Sequence, residues 1–148
     1  MIAAIYNWNS NLKQSMTYQL ASASSIVLTH DLQAAEESYE VTPTTMINHH
    51  YSGARINSVA WSHNNMITAS CADDGQIILS QASTGQKLHT FNAYQSKQIP
   101  VSGGVKFSKQ SEFLATGLGD GIVKLWDLKR RIQLRTFRSS APVSLMYA

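Results

Sequence analysis

The plainest structural signal in the chain lies at residues 114–128, LATGLGDGIVKLWDL. The dipeptide Asp120-Gly121 is one that a tight two-residue hairpin favours. Gly takes positive φ without penalty, and the Asp carboxylate accepts hydrogen bonds from turn amides. Glu112–Gly117 and Ile122–Leu128 therefore read as two strands joined by that turn. Upstream, Val105-Lys-Phe107 alternates apolar and polar residues as a strand with one buried face should, and Ser108–Ser111 is a polar turn. Downstream, Lys129–Arg131 is a second turn and Ile132–Phe137 a fourth strand.

The same unit occurs earlier. At an offset of 46, Ile56–Phe91 aligns with Ser102–Phe137 over 36 positions without a gap, with nine identities. They include Val59/Val105, Asp74/Asp120, Gly75/Gly121, Leu79/Leu125 and Phe91/Phe137. Trp61/Phe107, Ile67/Phe113, Ser70/Thr116 and Ile77/Val123 are conservative pairs between them. A more divergent third copy lies upstream, where Leu20–Ser22 and Ile26–Leu32 match Leu114–Thr116 and Ile122–Leu128. Met1–Trp8 suits an opening strand and Tyr39–Thr42 a weak outer one, within a polar segment that links the first two copies. Val143–Ala148 resembles the opening strand of a fourth copy. A unit of four hairpin-connected strands repeated in this way is a propeller blade.

These residues resemble the WD40-repeat family. Residues 114–128 match the second half of its repeat and end in the pair Trp126-Asp127. The resemblance implies an all-β, WD40-type β-propeller of about three four-stranded blades plus the start of a fourth. The blades are expected at about 1–45, 54–92 and 100–138, with the fourth starting at about 142–148. Ser80-Gln81 and His30-Asp31 stand in place of Trp-Asp in the other copies. Asn92-Ala93-Tyr94 and Ser139-Ser140 stand where the family has Gly-His before a first strand. The full His–Ser/Thr–Asp–Trp hydrogen-bond network of such repeats is therefore not expected, and packing should be the main hold on the blades. Asp74, Gly75, Asp120, Gly121, Trp126 and Asp127 are the expected turn and motif residues.

Ile56–Asn65, Thr68–Ser70 and Gly121–Lys129 are similar, more narrowly, to the N-terminal blades of WD-repeat proteins that target the γ-tubulin ring complex to centrosomes and spindles. That likeness implies a cytoplasmic and cytoskeletal interaction module. Its partners would be centrosomal or spindle proteins and, indirectly, the γ-tubulin ring complex. The alternative is a WD40 scaffold of an unrelated complex, such as a ubiquitin-ligase adaptor, a trafficking coat or an RNA or ribosome-assembly factor.

Composition narrows the function classes. The chain has 148 residues, 43% of them hydrophobic and 14% charged, too apolar for disorder. No apolar run approaches the length of a membrane helix, so no membrane partner is expected. A lone cysteine, Cys71, makes no internal disulfide and suits a reducing compartment; on a strand end it reads as a small buried residue. The start of the chain has no secretory pattern. Five scattered histidines and one thiol give no metal-ligand spacing, and no nucleophile elbow or phosphate loop is present. The chain is expected not to be an enzyme and to need no metal or cofactor.

Charge is uneven. Residues 1–54 carry one base and four acids, whereas residues 55–148 carry eleven bases and five acids. In a blade, the first and third turns lie at one end. Lys109, Lys129, Arg130 and Arg131 thus belong to one end of one blade and form the candidate basic contact surface for an acidic partner. They are too few for a nucleic-acid footprint, and on their own terms they also suit a solvated turn. Trp61, Phe91, Phe107, Trp126 and Phe137 are expected in the core. Three blades and a fragment cannot close a ring, so the chain is expected to be a fragment or truncated product, or to associate to close.

Overall fold

The structure is a computed structural model. It describes residues 2–6, 17–23, 27–34, 39–93, 101 and 103–141, and the side chains of residues 27, 45–93, 101 and 103–141. The described chain is all strand and turn. Twelve strands form three antiparallel four-stranded sheets, each in simple chain order. The first holds β1 (Ile2–Tyr6), β2 (Thr17–Ala23), β3 (Val27–Ala34) and β4 (Tyr39–Ile47). The second holds β5 (Ile56–Trp61), β6 (Ile67–Ala72), β7 (Gln76–Gln81) and β8 (Lys87–Asn92). The third holds β9 (Gly104–Phe107), β10 (Phe113–Gly117), β11 (Ile122–Asp127) and β12 (Ile132–Arg138). Strands β1 and β2 contact β5, and β5 and β6 contact β9, so the sheets meet through their inner strands. This is the arrangement of successive blades in an open propeller.

The 46-residue repeat is written in the backbone. Asn65 and Ser111 are left-handed at φ 58° and 56°, Gly75 and Gly121 at 76° and 79°, and Gly85 and Arg131 at 73° and 59°. Turn hydrogen bonds recur in the same register: Asn65 N–H to Ser62 and Ser111 N–H to Ser108, at 2.9 and 2.8 Å. The Ser62 and Ser108 hydroxyls each accept from the amide five residues on, at 3.0 and 3.1 Å. All three sheets bulge between their third and fourth strands, at Thr29/His30, Leu79/Ser80 and Leu125/Trp126. Those positions align in the three copies, so the divergent first copy is a true repeat unit.

Two expectations about elements need correction. The Asp-Gly turns are not two-residue hairpins. Only the Gly has positive φ, and Leu118 N–H donates to Ile122 across the loop at 2.8 Å, leaving three residues between the paired positions. That is a tight turn followed by a left-handed Gly, since a two-residue turn would require positive φ at Asp120 as well. The outer strand of the first sheet is also longer than Tyr39–Thr42. It runs to Ile47 because Pro43 lies on an edge strand beside the bulge, where a missing N–H costs no ladder bond. The expected start of a fourth blade at 142–148 lies outside the described residues.

Two cores fill the spaces between sheets. Val27 and Ile47 pack against Ile56, Val59, Trp61, Ala72 and Ala82. Between the second and third sheets, Ala69, Cys71, Ile77, Leu79 and Phe91 meet Val105, Leu114, Ile122 and Trp126. Phe91 stacks on Trp126 at 4.8 Å between ring centroids. Phe107 packs partly buried against the same cluster. Phe137, expected in the core, is 51% exposed where its repeat partner Phe91 is 3% exposed. The two side chains occupy the same place in their sheets. Phe91 is covered by the third sheet, and among the described residues nothing covers the corresponding face of the third sheet.

Candidate interaction surface and the network that supports it

The first and third turns of each repeat gather at one end of the sheets. Leu128 N–H donates to Glu112 at 3.0 Å and joins the two turns of the third repeat. His63 N–H donates to the Ser111 hydroxyl at 2.6 Å and ties that end to the second repeat. Lys109, Lys129, Arg130 and Arg131 are all exposed there. The four bases thus lie on the first and third turns of the third repeat, at this end of the sheets. The turn carrying three of them is held by Asp127, whose carboxylate accepts from the Arg130 N–H at 2.7 Å. The Arg130 guanidinium reaches the same carboxylate at only 3.9 Å with its side chain 73% exposed, an ion pair worth little. The basic groups are therefore presented to solvent on a fixed backbone.

The opposite end is built around His50, which precedes β5. Its Nδ1–H donates to Asp74 Oδ2 at 2.9 Å, and its Nε2 lies 2.9 Å from the Ser70 hydroxyl. Both His50 and Asp74 side chains are nearly inaccessible, at 3% and 2% exposure. Asp74 also accepts from the Gln76 and Tyr51 amides, at 2.9 and 3.2 Å. Burial pushes the Asp74 carboxyl up, but the His50 bond, these amide bonds and the His50 charge outweigh it and hold the carboxyl below its ordinary value. Asp73 beside it accepts from Asn57 at 2.7 Å. The adjacent carboxylates are thus turn and network groups with separate partners.

The expectation that the repeats are held mainly by packing, without this network, is corrected here. The second repeat has His, Ser and Asp of the four-membered network, with the short Ser80 where a Trp would stand. The third has the Trp that the second lacks: Trp126 Nε1–H donates to Thr116 at 2.9 Å, both buried. Asp120 accepts from the Ile122 amide at 3.3 Å, as Asp74 does from Gln76. In sequence the adjacent His49-His50 pair has the look of an ordinary polar loop, and the loops after the second and third copies carry no Gly-His. The signal was the place of His50 nine residues before Val59, in the loop that leads into the second copy. Lys124 was also missed. It lies buried on the face toward the second sheet, donates to the Ala93 carbonyl and sits 5.9 Å from the Trp126 ring centre.

Cys71 is fully buried, and desolvation pushes its thiol up to about 12. Among the described residues no three His, Cys, Asp or Glu side chains are grouped as metal ligands. No helix of the described residues is long and apolar enough to cross a membrane.

Comparison with known proteins agrees with this geometry. The family model described as WD domain, G-beta repeat, matches residues 85–127. The model described as Anaphase-promoting complex subunit 4 WD40 domain matches residues 19–103. Among solved structures, the C-terminal WD40 domain of Sif2 superposes with a TM-score of 0.63 at 16% identity. The match covers 82% of this chain and 33% of that one, so the chain spans about a third of the length of that structure.

Proposed function

Because the chain belongs to the WD40-repeat family, we propose that it is a non-catalytic protein-interaction module that meets its partner through the basic end of the third sheet. The observation that carries this reading is the cluster Lys109, Lys129, Arg130 and Arg131, exposed on turns that the backbone fixes at one end. Each sheet with its turns is one blade; the first runs to Ile47, past the expected bound at about 45, and the others span about 54–92 and 100–138.

The partners we propose are centrosomal or spindle proteins, and the process is recruitment of the γ-tubulin ring complex in microtubule nucleation and spindle assembly, in the cytoplasm and at the spindle pole. This rests on the likeness of Ile56–Asn65, Thr68–Ser70 and Gly121–Lys129 to the proteins that perform that recruitment. A second reading, a scaffold in a different assembly, is favoured by the match of residues 19–103 to a subunit model of the anaphase-promoting complex. Imaging the tagged protein together with γ-tubulin in dividing cells separates the two. Co-localisation at spindle poles is the expected result; a distribution that never meets γ-tubulin would reject the first reading in favour of the second.

A further inference from the structure

Strand β12 is the outermost strand of the third sheet. It pairs with β11 on one side, and among the described residues no strand pairs with its other edge. All seven of its residues are exposed. A free edge of this kind is a row of unpaired N–H and C=O groups, ready to template another strand.

The charge on this edge is unlike that of its repeat equivalent. Lys129, Arg130 and Arg131 stand at its entrance and Arg135 and Arg138 along it, with no acidic residue between 128 and 141. The equivalent strand β8 carries one lysine, and its Phe91 is buried. Registration places Arg135 opposite Leu125 and Arg138 opposite Ile122, so the two arginines project on opposite faces of the sheet. The bulge leaves Leu134 without a partner position, and Arg135–Arg138 beyond it is a regular stretch. Ile132 and Leu134 add two exposed apolar side chains.

We propose that the outer edge of β12 accepts an extended acidic peptide segment of a partner protein as a fifth strand. Main-chain hydrogen bonds supply the attachment, and carboxylates of the peptide lie beside Arg135, Arg138 and the Lys129–Arg131 turn. Five like charges bar a second copy of β12 from the same edge and select a strand of opposite sign. The proposal rests on the reading of the basic end as the contact surface and gives that contact its chemistry. Among the described residues this edge is unpaired, and a sheet packed on a face of the third sheet would not occupy it.

The test is a fluorescence-anisotropy titration of the full chain with a labelled peptide of about ten residues in which Glu-Glu pairs alternate with Val-Val pairs, so that carboxylates fall on both faces of the added strand, near physiological salt. Two companions of equal charge carry N-methyl groups on alternate amides, one in each register. The unmodified peptide is expected to bind, and one methylated companion to bind about tenfold more weakly, since it loses the main-chain bonds facing β12. Arg135→Glu with Arg138→Glu should remove binding of the unmodified peptide while thermal unfolding stays unchanged. Equal binding of all three peptides would overturn strand pairing and leave the basic contact surface standing. Failure of all three to bind would reject both. Tighter binding of an oligouridylate than of the peptide would overturn the acidic-peptide assignment in favour of RNA.

Discussion

His50 links three chain segments: its own loop, strand β6 through Ser70, and the turn after β6 through Asp74. Removing its ring leaves the Asp74 carboxylate buried with one partner fewer, a penalty of the size usual for an orphaned polar group. His50→Ala should lower stability by about 2 kcal/mol in urea unfolding. His49→Ala should cost less, because among the described residues His49 bonds a single group, the Gly85 carbonyl, at 2.8 Å. Equal losses for the two variants would contradict the network. Asp74 adds a pH dependence. Its folded pKa lies below the ordinary 3.8, so its contribution is complete above that value and is lost as pH falls through the lowered one. Acid unfolding of Asp74→Asn should show a weaker pH dependence below about pH 4 than the unaltered chain. Cys71, with its thiol pushed up to about 12, should resist alkylation at pH 8 until the chain unfolds. Alkylation of the native chain at the rate of a free thiol would show that the site is open.

At the scale of elements, the repeat was legible because its turns demand particular residues. Gly75 and Gly121 sit at left-handed positions that admit few others, and Ser62 and Ser108 each hold the turn that follows them. Burial was not legible in the same way. Phe91 and Phe137 are the same residue at the same repeat position, and only the presence of a covering sheet separates 3% from 51% exposure. Phe91→Ala should therefore cost about 3–5 kcal/mol and Phe137→Ala less than about 0.5 kcal/mol in equilibrium unfolding. Comparable losses would mean that something covers the third sheet. Lys124 was hidden for a related reason: a strand position that alternation marks as inward reads as apolar, while a carbonyl from the neighbouring sheet makes room for an amine. Pro43 makes the nine-residue strand Tyr39–Ile47 read as ending at Thr42, since edge position cannot be seen from one sequence alone.

At the scale of the whole molecule, the two ends of the sheet stack have different chemistry. One end is cross-tied by His50, Asp73 and Asp74, while the other presents the exposed bases of the first and third turns. Arg55 provides a control, because it is exposed beside the cross-tied end, where its carbonyl accepts from the Asp73 amide at 3.0 Å. The most direct test of the account compares partner capture from dividing-cell extract by the unaltered chain, by Arg130→Glu with Arg131→Glu, and by Arg55→Glu. Thermal unfolding of each protein is recorded alongside. The account predicts that the double variant loses the proteins retained by the unaltered chain, that Arg55→Glu keeps them, and that all three unfold at the same temperature. Capture that survives at Arg130 and Arg131 but is lost at Arg55 would contradict it.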